Sequence, residues 1–148
     1  MTQSRHKNQI EIYNKKARFD YQILDSLEAG IVLTGLEIKA VRAKKVNMTS
    51  SYAKIIGGEV FWLGGVMEIS QGDKQRTRKL LLKKDQIKKL IGKVEEKGLS
   101  LIPIKLYLTR GKAKLELGIG KGMKIYEKRS KLKEQDIERD VRINSKNR

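Results

Sequence analysis

The sequence predicts a mainly β fold with flanking helices, a small closed antiparallel barrel followed by a disordered basic C-terminal tail. Three observations carry this reading. Ile102, Ile104, Leu106 and Leu108 recur at every second position, and Leu115, Leu117 and Ile119 do so again after a turn at Arg110-Gly111, as strands with one buried face require. Two more apolar segments, 52–56 and 60–66, meet at Gly57-Gly58, the composition of a tight hairpin turn. Between these pairs lies a helical period, with Ile87, Leu90, Ile91 and Val94 at i, i+3, i+4 and i+7. Five or six short strands with a helix before the last pair match the oligonucleotide-binding type of barrel, which presents strands and loops to nucleic acid. An α+β sandwich of another topology would use the same elements.

Taken in order, residues 1–12 are polar and read as a disordered arm, and 13–122 as the barrel domain. Phe19, Tyr21 and Ile23 alternate with Asp20 and Gln22, so a strand is expected to run to about Leu27, with a bend at Glu28-Ala29-Gly30. Thr34-Gly35-Leu36-Glu37 has the form of a capping box, and Leu33 with Ile38 that of a hydrophobic staple. A helix over about 35–43 follows, although Leu36 and Ile38 alone also fit a strand. Phe61 and Trp62 are neighbours in a strand and must face opposite sides. Residues 71–78 read as a basic loop, Asp85 as the cap of the later helix and Gly98 as its end. Pro103 inside a strand pattern calls for an edge or a bulge. The tail, 123–148, has too few apolar residues to fold alone, yet Ile137 and Val141 at i, i+4 suit an amphipathic helix formed against a charged surface.

Charge and composition narrow the function. The chain of 148 residues carries 34 Lys+Arg and 17 Asp+Glu, a net +17. The excess is lopsided: the first 74 residues hold 11 basic and 8 acidic side chains, the last 74 hold 23 and 9. A field of one sign concentrated on part of a small protein suits a polyanionic partner. The absence of Cys rules out a disulfide framework, a thiolate nucleophile and Cys-based zinc or iron–sulfur sites. With His6 as the single histidine, a histidine triad or a multi-histidine metal site also lacks its parts. No cofactor, metal or catalytic residue is expected. No apolar run suits a membrane span or a signal peptide, so a cytoplasmic protein without a membrane partner is expected.

The motifs point the same way. Asn14-Lys15-Lys16-Ala17-Arg18-Phe19-Asp20-Tyr21 joins cations, an amide and two aromatics, the mixture that grips phosphates and stacks on bases. It is also the composition of an ordinary strand entry with Phe19 and Tyr21 packed inward. Gly118-Ile119-Gly120-Lys121-Gly122 lacks the spacing of a nucleotide-binding phosphate loop, but it can lay N–H groups and a charge against an RNA backbone. Arg76-Thr77-Arg78-Lys79 reads as a basic loop running into Leu80-Leu81-Leu82. Glu28 and Glu37 can each accept from a guanine edge or a ribose hydroxyl, or hold an arginine such as Arg18 or Arg42; Glu28 is read as facing RNA and Glu37 as the cap. Aromatics are 5% of the chain, too few for a general single-strand binder with many stacking platforms, and the scattered acids do not suit a metal-dependent nuclease.

Several ordered segments together resemble one family, small protein B, the bacterial tmRNA-binding protein of trans-translation. They are Asn14 to Tyr21, Leu27-Glu28-Ala29-Gly30, Thr34 to Lys39 with Val41-Arg42-Ala43, Ser51-Tyr52, Thr77 to Leu82, Gly98 to Tyr107, Gly118 to Gly122 with Lys124, Glu127 to Ser130, and Lys133-Glu134. The resemblance implies a barrel body that holds the tRNA-like domain of tmRNA and a tail that enters the decoding centre and mRNA path of a stalled ribosome. The ribosome, including small-subunit rRNA, is then a partner, and elongation factor Tu with GTP an indirect one. The reaction is ribosome rescue and peptide tagging, with no bond made or broken by this chain. Carried over by position, the RNA-facing candidates are Asn14, Lys15, Lys16, Arg18, Tyr21, Glu28, Arg42, Leu81, Lys83, Lys121 and Lys124. The ribosome-facing tail candidates are Glu127, Lys128, Arg129 and Ile143. Phe19 stands where many relatives have His, Lys83 where an Asn follows the leucine run, and Glu127 where Asp is usual.

Overall fold

Alternating apolar residues close a sheet on itself. In the computed structural model, which describes residues 10–123, the elements run β1 (Ile10–Tyr13), α1 (Ala17–Asp20), β2 (Tyr21–Ile31), α2 (Gly35–Arg42), β3 (Val46–Asn47), β4 (Tyr52–Ile56), β5 (Glu59–Leu63), β6 (Val66–Met67), β7 (Arg78–Leu81), α3 (Lys84–Lys97), β8 (Ser100–Thr109) and β9 (Lys112–Gly122). The antiparallel order β8-β4-β5-β7-β2-β9 returns to β8 through the β8–β9 hairpin, which makes a ring of six strands. β1 adds to the edge of β8 that β4 leaves free, and β3 with β6 forms a separate two-stranded pair. Leu106, Leu115, Leu117, Ile119, Val60, Trp62 and Leu80 fill the interior, so the alternation in β5 and β9 is the inward parity of the ring. In β8 Leu106 and Leu108 keep it, but before the register shift at Pro103 it is Leu101 and Pro103 that pair with Ile119 and Leu117, and Ile102 lies opposite Gly118. Among the described residues, no helix is long and apolar enough to cross a membrane.

Both hairpins turn as expected. Gly57 and Gly58 have φ of 59° and 78°, and Arg110 and Gly111 have 52° and 76°, the left-handed pair that matches strand twist in a two-residue loop. The pairing of β8 with β9 shifts register between Pro103 and Lys105, the bulge that a residue without an N–H demands. Thr34 Oγ1 accepts from Glu37 N at 3.2 Å and Glu37 Oε1 from Thr34 N at 2.9 Å, so the capping box is formed.

Elsewhere the structure corrects the sequence reading. The disordered arm does not extend through residue 12, because Ile10 and Ile12 pack on the core while β1 pairs with Tyr107 and its neighbours in β8. A one-turn helix, α1, occupies the expected start of the first strand. The strand β2 then runs unbroken through 28–30. Gly30 marks a change of partner rather than a bend, since it lies opposite both Lys114 of β9 and Leu81 of β7. A Cβ there would sit 3.3 Å from Leu81 Cβ. Helix α3 is entered through Lys83, whose N–H donates to Gln86 Oε1 at 2.9 Å, so Asp85 lies inside the first turn instead of capping it. Gly98 ends the helix at φ 65°, as read.

The largest departure is the segment read as a basic loop. Arg78 opens β7 with no exposed surface and meets Glu37, which is 1% exposed, with Nε 2.7 Å from Oε2. Arg76 approaches the other carboxylate oxygen at 2.6 Å, and Arg78 also donates to the Gly65 and Lys74 carbonyls at 2.8 and 3.1 Å while its guanidinium lies 5.4 Å from the Trp62 ring centre. Thus the arginines that Glu37 holds are Arg76 and Arg78. Burial pushes the Glu37 carboxyl up, but Arg76, the Thr34 N–H and Arg78 outweigh it and bring the pKa down to about 2. This network ties α2 to β7 and to the turn before β6.

Candidate nucleic-acid interface

The sequence-predicted residues fall into two groups spaced along β2. Seven residues of strand, about 23 Å, separate Tyr21 from Glu28.

At the first end, Lys15, Lys16 and Arg18 are exposed on and before α1, Tyr21 is half-buried, and Lys121 lies opposite Gln22. Lys121 shares the parity of the inward-facing Leu117 and Ile119, but it stands beyond the end of the core and reaches solvent. A cleft of about 470 Å³ opens here between α1 and the start of β4, with Lys16, Tyr21 and Tyr52 in its walls. Asn14 belongs to the framework of this end. It is buried; its N–H donates to the Ile104 carbonyl at 2.8 Å, and Nδ2 donates to the Pro103 and Met48 carbonyls at 2.9 and 3.3 Å. The amide closes the gap on β8 between the stretches paired with β1 and with β4, so Asn14 has a structural role at this end, while its Oδ1 has no hydrogen-bond partner among the described residues.

The glycines beside Lys121 are likewise committed to the sheet. Gly118 and Gly120 pair with β2 on one edge and β8 on the other, which leaves no open run of N–H groups for a phosphate. A Cβ on Gly120 would lie 2.2 Å from the Gln22 carbonyl oxygen, and one on Gly118 would lie 2.6 Å from Ile104 Cδ1. Close strand approach explains Gly120, and the Ile104 side chain occupies the space beside Gly118.

At the second end, Glu28 and Leu81 lie on the outer face of neighbouring strands, both more than half exposed, and Lys83 is exposed at the start of α3. The sequence reading missed the company Glu28 keeps. Tyr107 donates its hydroxyl to Glu28 Oε2, while Lys114 Nζ is 3.9 Å from Oε1. Lys105 lies over two rings, 5.0 Å from Tyr107 and 5.7 Å from Tyr13, and 3.6 Å from Glu11. Burial and the Glu28 carboxylate push the Tyr107 hydroxyl well above the usual phenol range, so it remains a donor at neutral pH. The available signal was that Lys105 and Tyr107 occupy the outward positions between Ile104, Leu106 and Leu108.

Arg42 is exposed in the last turn of α2, and no strand pairing brings it to either group. Lys124, Glu127, Lys128, Arg129 and Ile143 lie outside the described residues. Among the described residues, no group of three or more His, Asp or Glu side chains could hold a metal ion.

A small β ring with cations at one end and an ordered polar face along β2 and β8 is the build of a compact RNA-binding domain. Comparison with known proteins gives the family. The SmpB protein family model matches residues 11–147, and this chain belongs to that family. The SsrA-binding protein of Bacillus pumilus is 53% identical over 134 residues, 86% of each chain, and that of Magnetococcus marinus is 47% identical over 133 residues, 86% of this chain and 89% of its own. Among solved structures, a chain from "tmRNA-SmpB: a journey to the center of the bacterial ribosome" aligns with a TM-score of 0.64 at 43% identity, covering 78% of this chain and 86% of that one.

Proposed function

We infer that this chain is an RNA-binding adaptor that binds tmRNA through its tRNA-like domain and delivers it to stalled ribosomes for trans-translation. The observation that carries the reading is the family match over residues 11–147, which takes in the ring and most of the basic tail. The ring is read as an oligonucleotide-binding-type barrel; the closure of six antiparallel strands through β8–β9 supports this. Lys15, Lys16, Arg18, Tyr21 and Lys121 at one end and Glu28, Leu81 and Lys83 at the other are read as its RNA face, with Asn14, Arg42 and Lys124 as further contacts. The tail, through Glu127, Lys128, Arg129 and Ile143, is read as the part that enters the decoding centre and mRNA path. Elongation factor Tu with GTP is an indirect partner in this scheme and the cytoplasm its place. The role is that of an adaptor without chemistry of its own, in keeping with relatives named for binding rather than for a reaction.

Removal of residues 130–148 tests the division of labour. Affinity for tmRNA is expected to stay within about twofold while rescue of stalled ribosomes is lost. A large fall in tmRNA affinity would contradict the assignment of RNA binding to the ring.

A further inference from the structure

Glu28 is placed where a carboxylate is costly. Across the β2–β9 pair it directly opposes Glu116, and like charges directly opposite one another destabilise a sheet. In a chain of net charge +17 that meets a polyanion, an exposed carboxylate on the RNA face also repels phosphate. A group kept against both effects is useful if it receives a hydrogen-bond donor that phosphate cannot supply, and RNA carries two uncharged kinds: base N–H groups and the ribose hydroxyl.

The surroundings of Glu28 suit that use. One oxygen, Oε2, is held by the Tyr107 hydroxyl, from a strand 79 residues away in sequence. The other, Oε1, has Lys114 Nζ at 3.9 Å, outside hydrogen-bond reach, and the side chain is 56% exposed. Tyr107 is itself held, because the Lys105 ammonium lies over its ring and is paired with Glu11. The chain of contacts Glu11, Lys105, Tyr107, Glu28 therefore crosses the outer face and ends on a single open acceptor.

We propose that Tyr107 is a positioning residue for RNA recognition, fixing the Glu28 carboxylate so that Oε1 accepts from the amino group of an unpaired guanine or from a ribose hydroxyl of the bound RNA. This rests on the reading that Glu28 faces RNA. A glutamate free to rotate would lose side-chain entropy on binding and could fold away from the RNA. A tethered one is ordered in advance.

Tyr107→Phe removes only the donor and keeps the ring under Lys105. With the tRNA-like domain of tmRNA as the probe, the expected result is about a 5- to 15-fold loss of affinity, unchanged melting temperature and an unchanged slope of affinity against salt, since no phosphate contact is removed. In a Glu28→Ala background the same change should cost less than about twofold, as two residues acting through one contact are non-additive. Full affinity in Tyr107→Phe alongside a weakened Glu28→Ala would overturn the positioning role alone. Full affinity in Glu28→Ala would overturn the RNA role of Glu28 and the proposal with it. Two further arms identify the donor. Single inosine substitutions at unpaired guanosines that weaken the wild type but not Glu28→Ala assign it to the guanine amino group, and single 2′-deoxy substitutions that do so assign it to ribose. No such difference in either series would overturn the contact at Oε1.

Discussion

Glu28 and Glu37 lie nine residues apart and end in opposite surroundings. Glu37 is enclosed: two arginines and the cap N–H take up its oxygens, and its job is finished inside the fold. Glu28 stands on the outer face with one oxygen tethered and one open. The difference teaches that the role of a carboxylate follows from how many of its acceptor sites the fold has already used. A saturated one holds elements together, whereas a half-satisfied one on a surface is available to a partner. The two should fail differently when changed.

The largest effect is expected at Glu37. Glu37→Ala leaves the fully buried Arg78 guanidinium without its counter-charge and should cost about 3–5 kcal/mol of stability, measured by denaturant melts, while protein that remains folded binds RNA as before. A loss of RNA affinity without loss of stability would break the contrast with Glu28. Acid should expose the same network. The Glu37 pKa is about 2 when folded against 4.5 ordinarily, so the network contributes about 3 kcal/mol above pH 4.5 and loses it as the pH falls towards 2. Wild-type stability should drop through that window, with a smaller drop in Glu37→Ala; equal drops would mean that other carboxylates carry the acid sensitivity.

Next in size is Gly65→Ala. A Cβ there would meet Trp62 Cζ2 at 2.2 Å, beside the carbonyl that Arg78 uses, so about 1–3 kcal/mol should be lost with RNA binding again spared. Glu28→Ala should do the reverse, lowering affinity about tenfold with melting nearly unchanged. Lys121→Ala should be smallest, about two- to threefold in affinity and with a shallower salt dependence, because one cation among several at that end is replaceable. A Lys121 effect larger than that of Glu28 would shift the weight of recognition to the cationic end.

Local signals in the chain were legible, and contacts between distant elements were not. The capping box, both hairpin turns, the bulge at Pro103 and the end of α3 at Gly98 are written in neighbouring residues, and each formed. The arginines on Glu37 come from 39 and 41 residues away, and nothing local distinguishes Arg78 from a solvated cation; Arg18 and Arg42 were equally eligible. β1 was missed because four residues with two isoleucines form a strand only when β8 offers an edge. At the candidate site, exposure of Lys15, Lys16, Arg18, Glu28 and Lys121 followed from their chemistry. The burial of Asn14 and the link from Tyr107 to Glu28 follow from the ring closing on itself.

The measurement that tests the central reading most directly is binding to the tRNA-like domain of tmRNA at about physiological salt, with excess ordinary tRNA as competitor. Binding that survives the competitor is predicted, since an ordered polar face adds recognition of a particular RNA shape to the salt-dependent attraction of +17 charges. Binding that disappears with competitor or with a modest rise in salt would contradict it, leaving a basic ring whose target is another RNA.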